Sequence, residues 1–247
     1  MKVFKTIFKI EFKLELRCME TIFFGILFPM AVVALIGAIY GDKPAFKGSN
    51  YTMLQASFAG VVAVGICATG LMGIPITISD YRNKKILKWF KVTPVSPMQI
   101  IFVEMLICFI VAAISALGVF LVCKFAFSYK MLGSAVQFIL AFVLVAISVY
   151  SIGGLIASLS PNMKIANIAC NLCYFPMLFL SGATIPYEIF PSSVQRISNA
   201  LPLTQGIKLL KGISLGKPVD NVMFSIVFII VVAVLCTAAS VKTFRWE

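Results

Sequence analysis

Six long runs without a single charged residue constrain the fold of this chain more than any other feature. Each run reaches or exceeds the ~18 residues that mark a candidate membrane-spanning helix. Only 12% of the 247 residues are charged and 61% are hydrophobic, whereas soluble domains average about 25% charged residues. A soluble helical protein this apolar would not stay dispersed in water. The sequence therefore predicts an all-α integral membrane protein, with uncharged runs at Thr21–Gly41, Gly48–Ser79, Met105–Cys123, Met131–Met163, Ile165–Tyr187 and Asn221–Val241.

The runs predict one transmembrane domain over residues 1–247 with six spans. The first run is longer than the ~7–15 residue apolar core of a signal peptide, so we interpret it as a retained helix. The second run would be roughly 48 Å long as a helix, against ~30 Å of hydrocarbon, so it must tilt or project beyond the membrane. The expected spans are about 21–40, 53–79, 98–122, 132–158, 165–182 and 221–241.

The distribution of Lys and Arg predicts the orientation. With both termini in the cytoplasm, the inner segments hold thirteen Lys and Arg residues and the outer segments eight. Four of those eight lie in the segment 183–220, and long loops carry little weight in the positive-inside rule. We therefore expect a multi-pass protein of the plasma membrane with cytoplasmic N- and C-termini. The excess of lysine over arginine favours a bacterial membrane.

Residues 1–20 predict an amphipathic helix lying on the inner leaflet. Their basic residues recur every three or four positions and fall on one helical face, beside a stripe of Phe4, Phe8 and Phe12. Such a helix binds the membrane interface through its apolar stripe and anionic lipids through its basic face. Glu11 and Glu15 fall opposite the basic face, so one side should meet protein or water. A solvated basic leader is the alternative.

The segment 182–212 predicts a re-entrant helical hairpin on the outer side, between spans five and six. Pro191 and Pro202 divide it into two lengths that each suit a short helix. Its apolar residues exceed what a solvated loop needs, and non-helical backbone at membrane depth must be buried by protein or line water. We expect this segment to form an outer gate, in which Gly182, Pro186, Pro191 and Pro202 are the candidate residues.

The chemistry missing from the sequence limits its functions. The chain contains no histidine, which excludes His-based catalytic sets and His-ligated metals. The string Gly212 to Lys217 lacks the spacing of a phosphate-binding loop. Glu104 and Asp80 lie near inner helix ends, where water can reach them, so no buried carboxylate serves ion-coupled transport. We predict no catalytic, cofactor-binding or metal-binding residues and no nucleic-acid partner. We also expect the cysteines to be free rather than paired in disulfides. Energy for any active transport must come from another polypeptide.

Two motifs carry a resemblance to a known family. Residues Lys85 to Pro97 read KILKWFKVTPVSP, and Leu180 to Leu203 contain LSG followed by Pro186, Pro191 and Gln195 at fixed spacing. The first is similar to the first cytoplasmic loop of type-2 ATP-binding-cassette transporter permeases, which reads roughly GxLKxLxxTPVSP. The second is similar to the extracellular segment after the family's fifth span. Lys85 stands where the family often has glycine, and Trp89-Phe90 replaces a polar–aliphatic pair.

The resemblance implies a half-transporter. A second permease subunit, identical or paralogous, would pair with this one, and two copies of a separate cytoplasmic cassette ATPase would bind ATP and Mg²⁺. The segment 80–97 would then be a coupling helix that contacts the ATPase while its lysines meet lipid headgroups. Its candidate coupling residues are Arg82, Lys85, Ile86, Leu87, Trp89, Phe90, Thr93 and Pro94.

The resemblance also implies export of a drug, antimicrobial peptide, lipid or similar amphiphile, and it places the first and fifth spans near the dimer axis. Asn167 and Asn171 lie four residues apart on span five, and amides are costly when they face lipid. They could pack within one subunit or lie at the dimer interface or translocation path. The alternative function is a six-span channel or membrane scaffold without an ATPase partner.

Overall fold

The computed structural model describes residues 2–17, 19, 21–40, 43–45, 49, 51–86, 97–183, 187, 190–217 and 222–243. Within these residues the chain forms helices joined by turns and loops, with one isolated antiparallel bridge between Pro44 and Thr52 and no strand. The helices are α1 (Lys2–Glu15), α2 (Phe28–Tyr40), α3 (Met53–Ala68), α4 (Ile74–Asn83), α5 (Pro97–Phe127), α6 (Ala135–Leu159), α7 (Met163–Leu180), α8 (Ser192–Asn199), α9 (Pro202–Ser214) and α10 (Met223–Thr243). Two π-helical segments, Thr21–Leu27 and Thr69–Gly73, precede α2 and join α3 to α4.

Six helices in the described residues are long and apolar enough to cross a membrane, which confirms the all-α membrane class. They are span 1 (Ile22–Tyr40), span 2 (Met53–Asn83), span 3 (Gln99–Phe127), span 4 (Ala135–Leu159), span 5 (Met163–Leu180) and span 6 (Met223–Thr243). Their ends lie within five residues of the expected ones. The largest differences are at spans 2 and 3, because the helices continue past the uncharged runs to include Arg82 and Lys124.

Span 2 is the central helix of the bundle. A capping box between Thr52 and Gln55 starts it, with each side chain accepting a hydrogen bond from the other's backbone N–H. The π segment Thr69–Gly73 precedes Pro75, whose missing N–H breaks the regular hydrogen-bond ladder. Its largest fully buried side chains are Phe58, Ile66, Leu71, Ile74 and Ile78. Span 2 is uncharged through most of its length because nearly every face of it is enclosed by protein.

Spans 2 and 4 approach each other closely at a pair of glycines. A side chain at Gly153 would overlap the carbonyl oxygen of Gly70, and one at Gly70 would overlap the ring of Tyr150. The Thr69 hydroxyl bonds the Tyr150 hydroxyl at 3.0 Å beside this contact, and both residues are buried. Small residues let membrane helices pack backbone against backbone. We call this contact the 2–4 seam.

The helices outside the spans pack at opposite ends of the bundle. Phe4 of α1 contacts Phe102 of span 3, with ring centroids 6.2 Å apart. At the other end, α9 is buried: Gly206 packs against Val145 of span 4, and the Ser225 hydroxyl of span 6 donates to Gln205. Two short helices thus occupy the segment after span 5. The interfacial position of α1 and the re-entrant depth of α8 and α9 stay predictions.

Candidate functional site

The start of the expected coupling segment is a direct continuation of span 2. Helix α4 runs on to Asn83, and Lys84 forms an ion pair with Asp80 at 2.7 Å on its exposed surface. The helix ends with the Lys85 N–H donating to the Arg82 carbonyl at 3.0 Å. The first residues of the segment 80–97 therefore belong to a helix that runs through the core.

Lys85 has the left-handed backbone conformation that favours glycine. Its φ is +59°, immediately after the helix ends, which is the position where a left-handed residue terminates many helices. A side chain in this conformation costs roughly 1–2 kcal/mol. The conformation gives a physical reason for the glycine that the family motif often carries here. In this chain a lysine occupies a strained position at the junction between span 2 and the coupling segment.

Arg82 points into the protein. Its guanidinium Nη1 donates to the backbone carbonyls of Ala157, at 3.1 Å, and of Ser160, both at the end of span 4. The residue is only 8% exposed. A cation at a helix C-terminus satisfies carbonyls that have no partner within the helix and interacts favourably with the helix dipole. Arg82 therefore connects the C-terminal end of span 2 to the turn between spans 4 and 5.

The described part of the coupling segment ends at Ile86, which is half-buried. The other candidate coupling residues lie outside the described residues, and their roles stay predictions. They are Leu87, Trp89, Phe90, Thr93 and Pro94. Among the eight candidates, the structure thus describes Arg82, Lys85 and Ile86.

Helix α1 covers a carboxylate that the sequence suggests is solvated. Glu104 of span 3 is only 4% exposed, so the expectation that water reaches it is wrong. Asp80 does lie at the surface, paired with Lys84. The reason is that α1 packs against the N-terminal part of span 3 and the C-terminal end of span 2, through the Phe4 and Phe102 rings and the bond between Tyr81 and Glu11. The burial of Glu104 depends on residues far away in the sequence.

Glu11 anchors the acidic face of α1 on span 2. The Tyr81 hydroxyl donates a hydrogen bond to Glu11 Oε2. Burial raises the pKa of Glu11 above its ordinary value, the nearby Glu15 raises it further, and the bond from Tyr81 partly opposes these effects. The acids opposite the basic stripe thus meet protein, as their position in the helical pattern predicts.

Asn167 and Asn171 lie half-exposed on span 5. Within the described part of the chain neither amide makes a hydrogen bond. The neighbouring surface is apolar and open, with Ile168 67% and Leu172 73% exposed. A third amide, Asn162, instead caps the helix by accepting from the Ile165 N–H at 3.0 Å. The structure does not bring Asn167 and Asn171 into the packed interior of the subunit.

The candidate gate segment is held together by polar contacts around Asn199. Its side-chain oxygen accepts hydrogen bonds from the Tyr187 hydroxyl, at 3.0 Å, and from Lys208 Nζ, at 2.5 Å. The same ammonium lies 4.0 Å from the centre of the Tyr187 ring, a cation–π distance. Gln205 donates to the Asn199 carbonyl at 2.7 Å. These residues bind α8 and α9 to each other as one unit.

Backbone conformation marks both ends of this unit. Gly182 has a φ of +87° and Gly216 a φ of +69°, a conformation that only glycine adopts without strain. Pro191 precedes α8, and Pro202 is the first residue of α9, where the fixed φ of proline suits a helix start. Pro186 lies outside the described residues. Gly182, Pro191 and Pro202 therefore mark boundaries of the segment, and their part in a gate stays a prediction.

Several residues of interest are absent from the sequence-based candidates. The Tyr81–Glu11 bond and the Asn199–Lys208–Tyr187 cluster join residues whose spacing carries no periodic signal. A polar side chain within an otherwise apolar stretch, such as Asn199 or Gln205, is the only sequence signal that could have indicated them. In the residues that the structure describes, no group of three His, Cys, Asp or Glu side chains could hold a metal ion.

Comparison with known proteins places the chain in one family. The family model described as ABC-2 type transporter matches residues 2–215. Nodulation protein J of Rhizobium leguminosarum bv. viciae is 35% identical over 92 residues, which is 36% of each chain. Nodulation protein J of Neorhizobium galegae is 25% identical over 172 residues, 67% of this chain and 65% of the relative.

A third relative is the inner membrane transport permease YhhJ of Escherichia coli (strain K12). It is 26% identical over 168 residues, 66% of this chain and 45% of the relative. The chain thus aligns with less than two thirds of the length of each of these three relatives. The family match itself extends over most of the chain, including both motifs and five of the six spans. The chain belongs to the ABC-2 type transporter family.

Proposed function

We propose that this protein is the membrane permease subunit of an ATP-driven exporter. Family membership and six candidate spans support a permease, and the name of the Escherichia coli relative, an inner membrane transport permease, supports transport across the same kind of membrane. A separate cytoplasmic cassette ATPase, in two copies, binds ATP and Mg²⁺. The permease itself has no ATPase site and carries no cofactor.

The observation that carries this proposal is the connection of the coupling segment to the core. Span 2 continues into the segment without a break up to Asn83, and Arg82 joins its end to the carbonyls at the end of span 4. A force that the ATPase applies to Trp89 and Phe90 would therefore reach spans 2, 4 and 5 together. A passive loop would need none of these attachments.

The proposed route gives Arg82 a role different from contact with the ATPase. Because its guanidinium is buried against span 4, Arg82 acts as a strut inside the permease. Ile86 and the aromatic pair then supply the apolar contact with the ATPase, and the exposed lysines meet headgroups or acidic groups on that partner. This arrangement separates binding of the ATPase from transmission of its movement.

Two permease subunits surround the translocation path. The half-exposed amides of Asn167 and Asn171 on an open apolar face support a subunit contact along span 5, since uncompensated amides are unfavourable in lipid. The α8–α9 unit, bounded by Gly182 and Gly216, closes the outer end of the path as a gate. Both termini are cytoplasmic, in agreement with the excess of inner lysine and arginine.

The transported compound is an amphiphile such as a drug, an antimicrobial peptide or a lipid, and peptide or antibiotic export is our first choice. The buried charged side chains of the described residues are Arg82, at the end of span 2, and Glu104, near the start of span 3, and the interior of the spans is otherwise uncharged. An apolar path of this kind suits amphiphiles better than small ions.

Co-purification with a cassette ATPase tests the proposal. The permease is co-expressed with the ATPase encoded by the neighbouring reading frame, purified through a tag on the permease, and reconstituted in vesicles. We expect the ATPase to stay bound and its hydrolysis to rise when a transported amphiphile is added. A permease that conducts solutes or assembles other proteins with no ATPase bound would instead be the alternative, a six-span channel or scaffold.

A further inference from the structure

An open groove of about 420 Å³ lies at the α1 end of the bundle. Phe4 of α1 forms one side, Phe102 and Met105 of span 3 form the second, and Thr237 and Val241 of span 6 form the third. Ser151 of span 4 lies at its base. The proposed coupling and gating functions use none of these residues.

The walls of the groove suit a hydrocarbon chain. Its few hydroxyls are already bonded within the protein: Ser151 to Thr237 at 3.0 Å, and Ser240 to Ser158 at 2.7 Å. Ser151 also donates to the Ile147 carbonyl at 2.7 Å. Satisfied hydroxyls can face an apolar ligand without the penalty of an unpaired polar group. A polar ligand such as a sugar would find few free partners along these walls.

The groove opens sideways, towards the region that lipid occupies around the spans. Phe102 is 60% and Val241 52% exposed, and Thr237 beside them is exposed as well. These residues belong to helices long and apolar enough to cross the membrane. The occupant can therefore enter from the bilayer without passing through the centre of the protein.

One amide side chain lines the groove, and two exposed lysines directly follow lining residues in the sequence. Gln99, in the first turn of span 3, lines it. Lys5 directly follows Phe4, Lys242 directly follows Val241, and both lysines are exposed. No acidic residue lines the groove among the described residues. Exposed lysines next in sequence to the residues of an apolar groove suit a phosphate headgroup whose acyl chain lies in the groove.

We propose that this groove binds an anionic phospholipid from the leaflet on the α1 side. One acyl chain lies between Phe102, Thr237 and Val241, and the phosphate lies near Lys5 and Lys242. The bound lipid connects α1 to span 6, because both elements line the groove. The position of α1 on spans 2 and 3 therefore depends on the anionic lipid content of the membrane.

A photoactivatable lipid tests the proposal directly. The purified protein is reconstituted in vesicles of phosphatidylcholine with a small fraction of phosphatidylglycerol carrying a diazirine in its acyl chain. After illumination, labelled peptides are identified by mass spectrometry. We expect labelling to concentrate on residues 99–105 and 237–241. Labelling spread over spans 1 and 5 in proportion to their exposed area would overturn the proposal.

Filling the groove gives a matched comparison. Thr237→Phe places a ring in it, whereas Leu235→Phe places the same ring on the same helix at a position that is 63% exposed and outside the groove. We expect labelling at residues 99–105 to fall about tenfold in the first variant and to stay unchanged in the second. Val241→Trp fills the groove from its exposed wall and replaces Thr237→Phe if that variant does not fold. Unchanged labelling in a folded groove-filling variant contradicts the proposal.

Charge removal tests the headgroup. The double variant Lys5→Gln, Lys242→Gln should lose the preference for the phosphatidylglycerol probe over a phosphatidylcholine probe with the same diazirine chain. The matched control Lys130→Gln, Lys217→Gln removes two lysines outside the groove and should keep that preference. An undiminished preference in the first variant would show that the lysines do not hold the phosphate. Cross-links between two copies of the protein through the groove would mean that it is a subunit contact, and the lipid proposal would be wrong.

Discussion

Spans 2 and 5 are neighbours in the bundle, but they differ in how far a single subunit supplies packing and hydrogen-bond partners for them. Along span 2 the Thr69 hydroxyl bonds Tyr150 inside the protein, and glycines bring the backbone of span 4 into contact. Along span 5, Asn167 and Asn171 make no hydrogen bond among the described residues, and their surroundings are apolar and open. Thr69 of span 2 has its hydrogen-bond partner in this subunit, whereas the two amides of span 5 have none among the described residues.

Exposure alone does not make this distinction. Span 6 is as open as span 5, with Val234 61% and Leu235 63% exposed, yet it carries no asparagine or glutamine. A purely apolar helix face needs no contact other than lipid, whereas an amide side chain is stabilised by a hydrogen bond to another helix. The comparison teaches that unpaired polar groups, rather than exposed apolar area, indicate where a membrane subunit expects a partner.

The largest effect is expected when the 2–4 seam is broken. Gly153→Ala places a methyl group against the Gly70 carbonyl oxygen, and rigid backbone can relieve this only by separating the two helices. We expect a loss of about 3 kcal/mol or more in the free energy of unfolding. Thermal unfolding in detergent, followed by size-exclusion chromatography, measures it.

The adjacent glycine is the control for that variant. At Gly154 the nearest atom to a new methyl group is Met105 Cε, at 3.0 Å, the end of a flexible side chain. Gly154→Ala should therefore change the free energy of unfolding by about 1 kcal/mol or less. Equal losses in the two variants would show that the seam is not the tight contact described above.

The second prediction distinguishes two roles for Arg82: transmitting movement inside the permease, and contacting the ATPase. Arg82→Met leaves the carbonyls of Ala157 and Ser160 without their charged donor and should cost roughly 1.5–3 kcal/mol of stability. If Arg82 transmits movement, the folded variant still co-purifies with the ATPase but transports less per ATP hydrolysed. Lys84→Met, two residues away, removes only an exposed ion pair and should cost less than about 1 kcal/mol. Loss of ATPase binding in Arg82→Met alone would instead assign Arg82 to the docking surface.

The third prediction concerns the unpaired amides of span 5. Asn171→Cys should form covalent permease dimers with short bifunctional thiol reagents, whereas Val234→Cys on the equally open span 6 should not. Asn167→Leu, Asn171→Leu should weaken the dimer by about 0.6–2 kcal/mol for each amide. Cross-linking yield and dimer fraction in detergent measure the two effects. If neither cysteine cross-links across several reagent lengths, Asn171 does not lie at the subunit contact.

The smallest effect is expected at Lys85, where the change should be a gain. Lys85→Gly removes the cost of a left-handed side-chain-bearing residue, so stability should rise by about 1 kcal/mol. Lys84→Gly is the control, because the φ of Lys84 is −78° and glycine gains nothing there. The thermal unfolding midpoints of the two variants should therefore shift in opposite directions. A decrease in both would show that Lys85 contributes more through its side chain than its backbone conformation costs.

Much of the fold could be predicted because hydrocarbon length and charge act locally along the chain. The spans expected from the uncharged runs end within five residues of the observed helices, and Pro191 and Pro202 divide the segment after span 5 into α8 and α9. The contacts of the candidate site could not be predicted in the same way. Arg82 meets carbonyls 75 and 78 positions away, and Glu104 is buried by α1. Such contacts depend on how the helices pack, which the pattern of one helix does not contain.

The strain at Lys85 shows where family resemblance and structure inform each other. The motif indicates that glycine is usual at this position, and the φ of +59° gives the reason. The same motif cannot tell whether Arg82 faces the ATPase or the protein interior, because both orientations preserve the sequence. Only the buried hydrogen bonds to the end of span 4 distinguish them.

The central claim is that the segment 80–97 couples this permease to a cassette ATPase, and the double variant Trp89→Ala, Phe90→Ala tests it most directly. An enclosed aromatic ring buries 150–250 Å², so losing a well-buried ring could cost on the order of 2–4 kcal/mol of association. Reversing the charges of Lys84 and Lys88 should cost only ~1 kcal/mol each. We predict that the aromatic variant inserts and folds normally, yet loses co-purification with the ATPase or hydrolyses ATP without transport. Transport at the wild-type rate with the ATPase still bound would contradict the account.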